Sequence, residues 1–193
     1  LSRYGSLDNP DFKQKVATLE DMFAGIIGVK HCLAVNGGTS AIMASLAALG
    51  IQPGAEIILP GYTYIATMSA VIAVGGVPVL AEIDESLTMD PDDVQRKITD
   101  KTQGIIPVHM LGNPCNMDPI MEIAREHRLF VLEDGCQALG AGYKGKKVGS
   151  FGDMAAFSLN VNKTITAGDG GLAVTDNKRL YERAFGFHDQ GHI

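Results

Sequence analysis

The sequence predicts an α/β fold, a mostly parallel sheet covered by helices on both faces in three α/β/α layers, because short apolar runs alternate with helical stretches along the chain. The apolar runs lack strict polar alternation, as expected of strands buried on both faces. Asp90-Pro91 and Asp118-Pro119 carry the cap-then-proline chemistry of helix starts between such runs.

The elements follow in order. Asp11 to Gly28 reads as a helix, with Phe12, Val16, Leu19, Met22, Phe23, Ile26 and Ile27 at helical spacing and Gly28 as its stop. Strands are predicted at His31–Val35, Glu56–Pro60, Val77–Ile83, Gly104–Met110, Phe130–Glu133, Met154–Leu159 and Gly171–Thr175. Helices are predicted at Thr39–Leu49, Tyr64–Val74, Pro91–Ile98, Met117–His127 and Lys178–Phe187. No repeat or low-complexity linker interrupts the rhythm, so residues 1–193 read as one domain. In such a sheet, ligands sit beyond the C-terminal ends of the strands.

Composition narrows the function. A net charge of −6 argues against nucleic acid or an anionic membrane as partner. No apolar run matches a bilayer span, and the first residues lack the layout of a signal peptide, which points to the cytoplasm. Cys32, Cys115 and Cys136 have neither pairing nor zinc-finger spacing. His188 and His192, with Asp189 between, form a loose cluster, for which a solvated loop is the commoner reading; no metal site is predicted.

Four segments carry chemistry. Asn36-Gly37-Gly38-Thr39-Ser40-Ala41 opens a helix after the first strand, where free backbone N–H groups and small side chains suit an anion. Thr39 as a simple N-cap is the bland alternative. Pro60-Gly61-Tyr62-Thr63-Tyr64 follows the second strand, and either tyrosine offers a flat platform to a planar ring, or packs in the core. Phe130-Val131-Leu132-Glu133-Asp134-Gly135-Cys136-Gln137 places carboxylates where a strand ends, so that one faces the crevice; the alternative is a helix-capping Asp134 with Glu133 in solvent. Ser158 is followed by Lys163 and then Gly168-Asp169-Gly170-Gly171, with no Arg or Lys between Val148 and Asn162. By itself Lys163 is an ordinary loop lysine; in small neutral surroundings it could also serve as a nucleophilic amine.

Together these segments resemble the DegT/DnrJ/EryC1/StrS family, sugar aminotransferases of the fold-type I pyridoxal-phosphate superfamily. The match is ordered: Gly38-Thr39, Pro60 through Tyr64, Asp134 through Gln137, and Phe157-Ser158 through Lys163 with Gly168-Asp169-Gly170-Gly171. The resemblance implies pyridoxal 5'-phosphate as cofactor and Lys163 as its covalent Schiff-base residue. It makes Asp134 the partner of the ring nitrogen, Tyr64 the stacking aromatic and Gln137 the partner of the ring hydroxyl. Gly38, Thr39 and Ser158 become phosphate ligands, joined by Ser40, which stands where many relatives carry alanine. Lys163 and Asp134 are then the catalytic pair.

The family's chains run to roughly twice this length, with a small C-terminal domain following the large one, a usual domain size. The resemblance therefore reads residues 1–193 as the large domain, without that small domain and without the family's opening residues. The implied reaction moves an amino group from glutamate or glutamine to a ketosugar in cell-surface polysaccharide, such as lipopolysaccharide, or secondary-metabolite biosynthesis. Leu111-Gly112-Asn113, Tyr143-Lys144-Gly145-Lys146 and His188 to His192 resemble a branch acting on a keto-octulosonate; a nucleotide-linked ketosugar or a ketocyclitol stays open. Alternatives are a deoxysugar dehydratase, whose members replace the Schiff-base lysine, and a non-catalytic module sensing cofactor or sugar. By analogy the assembly is a homodimer.

Overall fold

The computed structural model describes the backbone of residues 10–191 and the side chains from Lys15 onward. Phe12 and His192, both used in the sequence reading, lie outside the described side chains. The elements are α1 (Pro10–Ile27), β1 (His31–Val35), α2 (Gly38–Leu49), β2 (Glu56–Pro60), α3 (Ile65–Ala73), β3 (Val77–Ala81) and α4 (Pro91–Lys97). Then follow β4 (Thr102–Ile105), α5 (Met117–His127), β5 (Phe130–Asp134), β6 (Gly142–Tyr143), β7 (Lys146–Lys147), β8 (Met154–Ser158), β9 (Gly171–Thr175) and α6 (Lys178–His188).

A 7-stranded sheet has the order β1-β9-β8-β5-β4-β2-β3. Its pairs are parallel except those of β9, which runs antiparallel to both β1 and β8. Side chains alternate across it, as the pleat requires. On β8, Met154 and Ala156 join the core beneath α2, α3 and α6, while Ala155 and Phe157 join the core beneath α1. A third core on that opposite face packs α4 and α5 against Ile58, Ile105 and Val131. The predicted three-layer architecture is the observed one.

The most central helix is α2, with Ala41, Ala44 and Ala48 fully buried against the sheet. Their small side chains let the helix lie close to β8 and β9, and Gly50 ends it in a left-handed cap at φ 78°. As expected, Asp90 caps α4 by accepting the Asp92 N–H, with Pro91 in the first turn.

Several boundaries differ from the sequence reading. The predicted strand Val77–Ile83 stops at Ala81, because residues 84–88 turn sharply and Ile83 makes only an isolated bridge to Met89. The predicted strand Gly104–Met110 shrinks to Thr102–Ile105: Pro107 has no N–H to give the ladder, and Val108 keeps a single bridge to Asp134. Met110–Gly112 form instead a 3-10 turn in which Leu111 is left-handed at φ 52°. The short β6–β7 hairpin is an element that the sequence reading does not include. Burial on both faces fails for the edge strand β3, where Val77 and Leu80 are exposed.

Candidate functional site

Because β1, β2, β5 and β8 are mutually parallel, Val35, Pro60, Asp134 and Ser158 all end at one edge of the sheet. The reversed β9 begins there, with Gly171 paired to both Val35 and Ser158. At this edge a cavity of about 420 Å³ opens. It is lined by Gly38, Thr39, Tyr64, Asp134, Gln137, Ser158 and Lys163, so seven of the residues singled out from the sequence meet there.

Ser40 does not join them. It lines a separate depression with Asn36, Met43 and Phe187, one step further round α2 and outside the cavity. The difference is geometric: at the start of a helix, successive side chains point about 100° apart, and only the first ones face the sheet edge.

At the anion end, Gly37 precedes α2 without any side-chain cap, so the first N–H groups of that helix are left to the cavity. The floor is tight. A Cβ on Gly38 would lie 2.8 Å from the Ser158 Cβ and 3.1 Å from the Cys136 sulfur. Thr39 is therefore not a conventional N-cap, and the place a capping side chain would take stays open for a ligand.

The Asp134 carboxylate is 4% exposed at the base of the cavity. Its Oδ1 accepts the Cys136 N–H at 3.0 Å, and its Oδ2 accepts the Thr67 hydroxyl at 2.7 Å. The alternative of a helix-capping Asp134 beside a solvent-exposed Glu133 fails on both counts. Glu133 is fully buried, accepting N–H groups from Gly149, Phe151 and Gly152. Its Oε2 also meets His109 Nε2 at 3.1 Å, while the Cys115 N–H points at the ring's Nδ1. With Nδ1 accepting, the imidazole proton sits on Nε2 and is donated to Glu133.

Tyr64 is 65% exposed and lines the cavity, so it sits at the rim and is not a core tyrosine. The Lys163 Nζ lies 5.9 Å from its ring centroid, placing amine and aromatic face on the same opening. Gln137 Oε1 accepts the N–H of the left-handed Leu111 at 3.2 Å. That contact commits the amide oxygen and leaves its NH₂ as the group to offer a ligand. Burial, and then the neighbouring Asp134 carboxylate, push the Cys136 thiol well above its ordinary value. It is a neutral wall of the cavity, not a nucleophile.

Sequence reasoning missed Thr67, whose partner is distant in the chain, and the Glu133–His109 pair. It gave no role to Asp169 or to the asparagines between Ser158 and Lys163; Asn160, Asn162 and Asp169 all line the cavity, and Asn160 Nδ2 donates to Asp169 Oδ1 at 3.4 Å. Among the described residues, no group of His, Cys, Asp and Glu is arranged to hold a metal. His188 packs edge-on against Phe185 at 6.1 Å. No helix among the described residues is long and apolar enough to cross a membrane.

The cavity's donor set fits pyridoxal phosphate. An open helix terminus with hydroxyls at one end, an aromatic face, a buried carboxylate, an amide donor and an amine at the other match a phosphate, a flat ring, a ring nitrogen, a hydroxyl and an aldehyde. Fold and site together define an α/β protein with a cofactor crevice at the strand ends. The chain belongs to the DegT/DnrJ/EryC1/StrS aminotransferase family, whose model matches residues 11–193.

It is 44% identical over 177 residues to a GDP-perosamine synthase of Escherichia coli, covering 91% of this chain and 49% of that protein. Among solved structures, the aminotransferase from Psychrobacter cryohalolentis is similar at a TM-score of 0.91 and 38% identity, over 95% of this chain and 47% of that one. An E. coli GDP-4-keto-6-deoxy-D-mannose-3-dehydratase with bound hydrated PLP is similar at a TM-score of 0.82 and 32% identity, over 86% of this chain and 45% of that one. The chain thus spans about half the length of the relatives it matches.

Proposed function

We propose that this chain is the cofactor-binding large domain of a pyridoxal-phosphate-dependent aminotransferase that moves an amino group from glutamate or glutamine to the ketone of a nucleotide-linked sugar. The observation that carries the reading is the meeting of Lys163, Asp134, Tyr64, Gln137, Ser158 and the Gly38-Thr39 turn around one cavity. Pyridoxal phosphate, when bound, supplies an aldehyde for amine exchange and a ring that draws electrons from the carbon losing its proton.

The chain's own residues do the rest. The N-terminus of α2 and the hydroxyls of Thr39 and Ser158 hold the phosphate. Tyr64 covers the ring face, the Asp134 carboxylate keeps the ring nitrogen protonated, and the Gln137 NH₂ donates to the ring hydroxyl. Lys163 Nζ would hold the cofactor through its aldehyde carbon and, as a free amine, would move the proton at the substrate carbon.

Similarity to a GDP-perosamine synthase supports a nucleotide-linked sugar over a keto-octulosonate. Similarity to a dehydratase carries less weight, because Lys163 is in place here. Exposed Tyr64 at the cavity, Leu111 in the adjoining depression, and Ile65, Val161 and Ile165 close to lining residues in the chain support a homodimer closing over the site. The catalytic chemistry needs no membrane, in keeping with a cytoplasmic enzyme of polysaccharide or secondary-metabolite biosynthesis.

The test is borohydride reduction of the purified protein loaded with pyridoxal phosphate. The cofactor's visible band is expected to disappear as label is fixed on the peptide carrying Lys163. Lys163→Ala should lose fixation and at least about 10³-fold in turnover. Retention of both by that variant overturns the assignment. Release of a 2-oxo acid from the amino donor separates transamination from dehydration, and binding without any half-reaction would mark a non-catalytic module.

A further inference from the structure

Thr67 lies in the first turn of α3 and is 1% exposed. Its Oγ1 is 2.7 Å from Asp134 Oδ2 and 3.0 Å from Thr63 Oγ1. An ionised carboxylate can only accept, so the single hydroxyl proton of Thr67 goes to Asp134. Thr67 must then accept from Thr63, which gives the chain one direction: Thr63 to Thr67 to Asp134. The other acceptor near the Thr63 hydroxyl, the Tyr64 carbonyl, is at 3.4 Å, a poorer distance.

The effect is to tie the carboxylate from both sides. Oδ1 is held by the turn after β5, through the Cys136 N–H, and Oδ2 is held by α3. Without the second tie the carboxylate keeps one fixed oxygen and is free to swing about it. The backbone N–H of Thr67 also bonds the Tyr64 carbonyl at 3.2 Å. One residue therefore connects the aromatic platform at the rim to the acid at the base.

We propose that Thr67 is a positioning residue that fixes Asp134 in the orientation in which it pairs with the cofactor's ring nitrogen, a role that rests on the pyridoxal-phosphate reading above. Thr67 lines the cavity, but its hydroxyl is committed to Asp134 and Thr63, so it acts on the ring nitrogen through Asp134. Its contribution is thus specific to ligands that carry a ring nitrogen.

That specificity gives the test. Thr67→Val keeps the shape and removes the hydroxyl; Thr67→Ser keeps the hydroxyl. Equilibrium titrations with pyridoxal phosphate and with its 1-deaza analogue, in which carbon replaces the ring nitrogen, are compared for the wild type and each variant. Thr67→Val should weaken pyridoxal phosphate by about tenfold, the scale of a hydrogen bond to a charged group, and leave the 1-deaza analogue unchanged. Thr67→Ser should stay within about threefold of wild type for both ligands. Should Thr67→Val fail to fold, Thr63→Val cuts the chain one step earlier and should show the same selectivity at about threefold. Equal losses for the two ligands mean a merely structural threonine and overturn the proposal alone. A wild type that does not bind pyridoxal phosphate overturns the cofactor reading, and this proposal with it.

Discussion

Adjacent residues Glu133 and Asp134 show how little the type of a side chain says without its surroundings. Strand alternation turns them to opposite faces. Asp134 reaches the cavity, while Glu133 is sealed beneath the segment 149–152, where three backbone N–H groups and His109 converge on its carboxylate. Glu133→Gln leaves one acceptor oxygen for these donors and turns an NH₂ against them. It should cost at least about 2 kcal/mol, read as a lower urea midpoint with an unchanged slope. The sequence could say that one carboxylate belongs in the crevice. It could not say what the other does, because the N–H groups that receive it come from a turn some 16 to 19 positions away. Thr67 was illegible for the same reason, 67 positions from Asp134. Lys163 could be grouped with the other candidates only as a member of an ordered set, and spacing alone did not say that Ser40 faces a separate depression, because it does not tell which way a helix's first turn points.

Helix and strand were legible wherever an apolar run was long, and the errors fall where tertiary contacts or proline cut a run short, as at Ala81 and Ile105. What the periodicity does not carry is how closely two elements approach. Gly171 opens β9 against the start of α2, and a Cβ there would collide with the backbone carbonyl of Gly37, which cannot step aside as a flexible side chain would. Gly171→Ala should push strand and helix apart, weakening pyridoxal-phosphate binding by about tenfold and stability by about 1–3 kcal/mol. Gly25, inside α1, is the contrasting case, with nothing within 4 Å of the place a Cβ would take. Gly25→Ala should raise stability by about 0.5–1 kcal/mol in the same denaturation assay.

At the scale of the molecule, the three layers followed from the alternation of runs, but the strand order did not, and neither did the reversal of β9. Pairing choices depend on how faces of similar apolar character are distributed among neighbours, and a single pattern of runs admits several orders. The assembled site brings α2, α3, β5 and the link after β8 to one cavity, so a ligand there holds elements from distant parts of the chain. Pyridoxal phosphate at about 1,000 times its dissociation constant should stabilise the fold by about 4 kcal/mol, which for a chain of this size raises Tm by about 8–16 °C. Pyridoxal without the phosphate should produce a much smaller shift in the same thermal scan, because the N-terminus of α2 is left without its anion.

The reversed β9 bears on the lysine in one more way. Since β9 returns beside β8, the link from Ser158 to Gly171 leaves and re-enters the sheet at one edge. It is cross-tied by Leu159 N–H to the Gly170 carbonyl at 2.8 Å and by Ala167 N–H to the Leu159 carbonyl at 3.0 Å. On the proposed reading, Lys163 is thus a reactant on a short tether pinned at both ends. A flexible tether of that kind holds its amine at an effective concentration on the order of millimolar, and the cross-ties raise it by removing unproductive arrangements. A free amine in the surroundings, including the amino donor before it is bound, would then compete for the cofactor's carbonyl against an amine that never diffuses away.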